Sequence, residues 1–289
     1  MSSAVVSTSA AHGRPFVFDI EEAAEACPQP SGAELAEGRP PQRAFSTSAF
    51  KDARLASVTP ASRLAVRPTP EMVPSGIAAM DALTGGLPRG CLTEICGPAS
   101  SGRTTVLLAA LAAATRRGEF CAVVDASDAL DPQSAAAAGV TLDRLLWVRC
   151  AENSPQKCLE QLLRAADLML ESGGFGLIAL DLGDLPQSAA RRIPLTTWFR
   201  YRRAVEHTPT VLLAIERQSI AGSCSSLLIK LGLQGHWIKQ SADSQFPLPM
   251  HAQLLTELEI TAEIVRSRLD RRPVRSAEIT FASKTAWAG

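Results

Sequence analysis

The sequence predicts an α/β fold: a mostly parallel sheet flanked by helices, with antiparallel strands at the C-terminal side. Three observations carry this. Apolar runs of strand length recur as unbroken stretches rather than alternations, as expected of strands buried on both faces. Segments of helical spacing separate these runs. The first run feeds Gly97-Pro98-Ala99-Ser100-Ser101-Gly102-Arg103-Thr104-Thr105, a glycine-rich loop that opens a helix in the manner of a phosphate-binding loop.

The elements follow in order. Leu92–Cys96 is a strand, and 104–117 the helix behind the loop, ended by Gly118. Phe120–Asp125 is a second strand. Asp131-Pro132 opens a short helix to Ala138, closed by Gly139, and 145–148 is a third strand. Pro155–Ser172 places apolar residues near helical spacing, and Phe175–Asp181 is the fourth strand. A helix is expected over 188–206 and a fifth strand over 210–215. The segments 227–233, 254–265 and 277–281 read as further strands continuing the sheet.

Residues 71–289 therefore form one core domain, with clearly globular composition from Ser75 onward. Residues 1–70, rich in Ala, Ser, Pro and Glu, read as a mostly disordered tail. Within the tail, Asp19 could cap a short helix over 20–26, leaving Phe16 and Phe18 to dock on a partner. The plainer reading is a few apolar residues in a flexible arm. Apolar content of 46% supplies an ample core, and a formal net charge of zero leaves any attraction to nucleic acid to local patches. No apolar run is long enough to span a bilayer, and the N-terminus lacks the pattern of a secretory signal. Seven cysteines without Cys-x-x-Cys spacing suggest buried thiols in a reducing cytoplasm rather than disulfides or zinc.

The loop departs from the phosphate-binding pattern at one position: Arg103 stands where a lysine belongs. Backbone N–H groups of 97–105 would cradle phosphates, and Thr104 would place its hydroxyl on Mg²⁺. Asp181, ending the fourth strand, is the carboxylate expected to hold the same ion. Arginine keeps the charge but is planar and forked, so it is not a neutral replacement. A basic, aromatic segment follows, with Arg191, Arg192, Arg200, Arg202 and Arg203 around Trp198, Phe199 and Tyr201. The aromatics, with Leu195, read as core. The arginines read as a surface for DNA or a protein partner, or as an ordinary solvated helix face.

Beyond these residue-level readings, the chain from Ser75 onward resembles the bacterial RecA recombinase family. The resemblance rests on the ordered series Ser75-Gly76, Met80-Asp81, Gly85-Gly86-Leu87-Pro88-Arg89-Gly90, Glu94-Ile95, Gly97-Pro98, Ser100-Ser101-Gly102, Thr104-Thr105, Val124-Asp125-Ala126, Ala129-Leu130-Asp131-Pro132 and Ala138-Gly139-Val140. It covers about 75–185 well and 186–282 weakly. It implies a RecA-type core with ATP and Mg²⁺, single-stranded DNA as partner, and filament-like contacts with RecA or another copy. It places Asp131 on adenine, and Arg266 and Arg268 near the nucleotide of a neighbouring subunit.

The departures fall on the chemistry. Where the family has the glutamate that activates water, this chain has Ser127, so no catalytic residue is assigned; Asp128 is adjacent but, on an extended strand end, would point the other way. An adenine-stacking aromatic is replaced by Ser134. The γ-phosphate-sensing glutamine falls at Arg217, or at Gln218 if the alignment slips. The segments 182–190 and 218–226, where the family binds DNA, are short. The pattern resembles the ImuA-type accessory proteins of SOS mutagenesis, and suggests a DNA-repair protein that binds nucleotide, is impaired in hydrolysis, and works through RecA, DNA or a translesion polymerase. The alternative is an active DNA-dependent ATPase that performs strand exchange.

Overall fold

The computed structural model describes residues 16–17, 69–150, 154–233, 257–269, 278–284 and 286–287. The chain divides into two units: residues 1–23 with 70–289, and residues 24–69. Apart from Thr69, the second lies outside the described residues, as does almost all of the expected N-terminal tail. The exception is the two-residue strand β1 (Phe16–Val17), which pairs antiparallel with β12 (Ala286–Trp287). The expected helix over 20–26 lies outside the described residues.

The core opens with a small antiparallel pair, β2 (Met72–Val73) and β3 (Leu87–Pro88), joined through helix α1 (Ala78–Thr84). There follow β4 (Cys91–Cys96), α2 (Arg103–Arg116), β5 (Phe120–Asp125), α3 (Pro132–Ala137), β6 (Leu145–Arg149), α4 (Pro155–Ser172) and β7 (Phe175–Asp181). The chain continues through α5 (Gln187–Ala190), α6 (Leu195–Val205), β8 (Val211–Glu216), β9 (Leu227–Leu233), β10 (Glu257–Ser267) and β11 (Glu278–Lys284). The eight-stranded sheet runs β11-β10-β9-β4-β8-β7-β5-β6. From β9 to β6 every pairing is parallel, whereas β10 and β11 are antiparallel. Of the C-terminal strands, β9 therefore extends the parallel sheet beside β4.

The unbroken apolar runs arise because both faces are covered. Ile95, Val123, Ala179 and Leu213 pack on one face with α2, whose residues from Val106 to Thr115 are all buried. A helix enclosed on every side needs apolar residues around its whole circumference. Leu92, Val124, Ile178 and Leu212 face the other way, against Leu162 of α4 and Trp198 and Tyr201 of α6.

The single helix expected over 188–206 is instead two, α5 and α6. Pro194 stands at the N-cap of α6 with ψ 144°, and Ile193 before it is biased away from helical backbone. A second correction concerns the aromatics. Trp198 and Tyr201 are buried, edge-to-face at 6.1 Å, but Leu195 and Phe199 are 52% and 45% exposed. Four residues apart, they share an outward stripe of α6. Five of the six described cysteines are buried.

Candidate nucleotide-binding site

The 97–105 segment lies at the C-terminal end of β4, between β8 and β9 at the middle of the sheet, where crevices of open α/β sheets form. Two glycines shape it. A side chain at Gly97 would collide with Ser101 Oγ and stand 2.7 Å from the Leu231 carbonyl. Gly102, the N-cap of α2, has φ 87°, and a Cβ there would run into Ile260. Pro98, Ala99 and Ser100 are exposed, as is Thr104 in the first turn of α2; Thr105 is half-buried. Ser101 is fully buried and its Oγ has no hydrogen-bond partner. An orphaned hydroxyl in a loop without room for side chains at two positions fits a phosphate, whose oxygens would accept from that hydroxyl and the backbone amides.

Arg103 does not project freely from the loop. It is almost buried, and Nη1 donates to the Gly183 carbonyl at 3.0 Å while Nη2 lies 3.9 Å from Asp184. Arg217, just past β8, reaches the same two groups: Nε donates to Gly183 O at 2.9 Å and Nη2 is 3.6 Å from Asp184. Asp181 ends β7 beside them, its Oδ1 accepting from the Gly183 N–H at 2.9 Å. Burial pushes this carboxyl up to about 6; the Gly183 N–H opposes the shift, Asp125 and Asp184 add to it, and Arg103 draws it back. The Thr104 hydroxyl and Asp181 carboxylate are hard oxygen donors of the type Mg²⁺ takes alongside phosphate oxygens.

The turn after β5 carries the other sequence-predicted positions. Asp125 is buried and accepts from the N–H groups of Ser127 and Leu130 and from Trp147 Nε1. Ser127 is exposed. Asp128 adopts left-handed backbone (φ 54°) in a turn rather than a strand continuation, so strand alternation does not set its direction. Instead Arg149, on the sheet-edge strand β6, grips its carboxylate through Nε and Nη2 at 2.5 Å each. That pairing holds Asp128 toward β6, four strands from β4. Asp131 caps α3, accepting from Gln133 N, Ser134 N and Ser134 Oγ, so its carboxylate is held in place by the helix it starts.

A buried carboxyl pair, not anticipated from the sequence, lies across the ends of β4 and β8. Glu94 Oε1 accepts from Ser219 Oγ (3.1 Å), Ile220 N (2.9 Å) and Ala221 N (2.7 Å), and Oε2 from Ser225 Oγ (2.5 Å). Glu216, equally buried, accepts from Ile220 N at 3.1 Å through Oε2. Burial and the neighbouring Glu94 raise the Glu216 carboxyl well above its ordinary range, and its Oε1 has no hydrogen-bond partner. The signal was present: charged residues inside the apolar runs 92–96 and 211–216. Arg266 joins this cluster within the same chain, with Nη2 bonded to Ser225 Oγ and the Gly222 carbonyl and 3.5 Å from Glu94. Arg268 is exposed.

Of the predicted surface arginines, Arg191, Arg192, Arg200 and Arg203 are exposed and Arg202 is half-buried. Arg200 is bonded to Asp167 of α4 at 2.8 Å, and Arg191 to Gln218 at 3.0 Å.

A mostly parallel sheet with a glycine-rich loop at its centre, opening a helix, and an aspartate ending a nearby strand is the arrangement of a candidate phosphate-binding loop, with an almost buried arginine in place of the pattern's lysine. Residues 62–186 match the RecA N-terminal domain. The chain is 44% identical over 118 residues to Protein RecA of Kineococcus radiotolerans, covering 40% of this chain and 32% of that protein. It is 46% identical over 123 residues to Protein RecA of Salinispora tropica, covering 41% and 34%. These matches support the RecA family, and the aligned part spans about a third of the length of these curated relatives. A crystal structure of the RadB recombinase shares the fold, with TM-score 0.50 and 15% identity, covering 72% of this chain and 94% of that one. Among the described residues, no helix is long and apolar enough to cross a membrane.

Proposed function

We propose that this chain is a RecA-like accessory protein of DNA repair, of the ImuA type, which binds ATP but does not turn it over at an appreciable rate. The observation that carries this reading is the turn after β5. Ser127 offers no carboxylate to take a proton from water; that of Asp125 is buried and holds the turn's N–H groups, and that of the adjacent Asp128 is engaged by Arg149 at the sheet edge. Bound ATP would present its phosphates to the 97–105 amides and Ser101, and Mg²⁺, held by Thr104 and Asp181, would neutralise phosphate charge. The chain's own residues then bind and orient the nucleotide without activating water.

In this reading the protein acts by contact, with RecA or another copy in a filament-like arrangement, with single-stranded DNA, and with a translesion polymerase in the SOS response. The α6 face supports it: Leu195 and Phe199 offer apolar surface on the helix that also carries exposed Arg203. The 219–225 segment, where the family resemblance would place a DNA-binding loop, is bonded to Glu94. The test is a DNA-stimulated ATPase assay with Arg103→Lys alongside. Turnover stays below about 0.01 per second in both forms, against roughly 10 per second for a typical enzyme. Faster turnover by the natural chain would instead establish the active DNA-dependent ATPase.

A further inference from the structure

We propose that Cys150 and Cys158 are a modification site: a peroxide joins them as a disulfide, and the bond loosens the turn after β5. This goes beyond the proposed function and does not depend on whether nucleotide binds.

Two elements bring the pair together. β6 ends at Arg149, and the Cys150 N–H just past it donates to the Asp125 carbonyl of β5 at 3.1 Å. Cys158 lies near the start of α4, and its thiol donates to the next carbonyl along, Ala126 O, at 2.9 Å. Anchored to consecutive carbonyls, the two cysteines share one apolar cluster and are 6% and 3% exposed. Their thiols stand within hydrogen-bonding reach of each other. Sulfurs so placed need little movement to meet the short distance of a disulfide.

Burial pushes the Cys150 thiol up to about 12, with Cys158 beside it adding to the shift, so at neutral pH it stays protonated. While the site is closed, that thiol is inert. The way in is the start of α4. Its N-cap, Ser154, makes no side-chain capping bond, and Gln156 and Lys157 are exposed. As this turn opens, the Cys158 sulfur attacks a peroxide oxygen as thiolate. The O–O bond breaks, hydroxide takes up the thiol's proton and leaves as water, and a sulfenic acid remains. The Cys150 sulfur then displaces the hydroxyl: the S–S bond forms, the S–O bond breaks, and the second thiol proton leaves in a second water. Two thiols are oxidised and one peroxide is reduced.

After that step Cys158 carries no S–H, and Ala126 O loses that donor inside the core. The same turn is tied down by Asp125, whose carboxylate holds the Ser127 and Leu130 N–H groups at 3.0 and 2.9 Å. A thiol reductant cleaves the disulfide and restores the bond to Ala126.

The test treats the folded full chain with millimolar hydrogen peroxide, blocks remaining thiols with N-ethylmaleimide, and maps unreduced peptides by mass spectrometry. The Cys150–Cys158 link is the main product, and dithiothreitol reverses it. In the linked chain, hydrogen exchange of the Ser127 and Leu130 amides quickens at least about fivefold. Cys158→Ala, which removes the donor alone, quickens the same amides without peroxide. Cys150→Ala, which keeps the donor, forms no link and leaves these amides slow without peroxide. A folded natural chain left unlinked at Cys150 and Cys158, or linked only in urea, overturns the site. A link that leaves both amides unchanged overturns its coupling to the turn.

Discussion

Replacing Glu94 by alanine removes one side chain that holds the 219–225 segment, and its cost can be worked from its partners. The Ala221 N–H, bonded at 2.7 Å, and the buried Ser225 hydroxyl at 2.5 Å lose their acceptor. Ile220 N keeps a second acceptor in Glu216 at 3.1 Å, and Arg266 keeps Gly222 and Ser225. A stranded buried donor costs roughly 1–3 kcal/mol, so two give about 4 kcal/mol. For a domain of this size that lowers Tm by about 12 °C. Urea unfolding followed by tryptophan fluorescence and circular dichroism measures the cost, and hydrogen exchange of the 219–225 amides locates it. Glu94→Gln, which keeps an acceptor, costs less than half as much. A loss under about 1 kcal/mol, or unchanged exchange at 219–225, would refute the reasoning.

Further outcomes follow from other contacts. Glu216 is raised above its ordinary 4.5, so its stabilising contribution is full below that pH and is lost as pH climbs toward its folded value. Urea unfolding from pH 4 to 8 should show stability falling by up to about 1.4 kcal/mol per unit from this group, and a flatter profile in Glu216→Gln. Asp131→Ala removes the α3 cap and costs about 1 kcal/mol by calorimetry, whereas Asp131→Asn retains most of it. Arg192→Ala and Arg203→Ala each weaken single-stranded DNA binding equally across sequences and lower the salt slope by about one; an unchanged slope would place DNA elsewhere.

Much of the sheet could be read in advance, because strands enclosed on both faces leave continuous apolar runs such as 175–180 and 211–215. The split between α5 and α6 was legible too, in Ile193-Pro194, but helical spacing on either side hides a break that a single proline imposes. The loop and Asp181 declare themselves by local pattern. The direction of Arg103 does not, since it depends on where Gly183 arrives after a separate strand. Nor does the Glu94–Glu216 contact, which exists only because β4 and β8 pair in parallel register, with Cys96 opposite Glu216. Residues that act through neighbours distant in sequence are set by topology, and topology is the level that a residue pattern encodes least directly.

The anchoring of α6 bears on how anything would associate with this protein. Trp198 and Tyr201 lock the helix against the sheet, and the Tyr201 hydroxyl donates to the Leu163 carbonyl of α4 at 2.9 Å. The outward arginines and Phe199 thus stand on a backbone with little freedom left to lose. Complex formation at this face pays only for side-chain ordering, not for folding a segment, so its heat-capacity change should be small and its contact rate set by diffusion and charge rather than by a prior rearrangement.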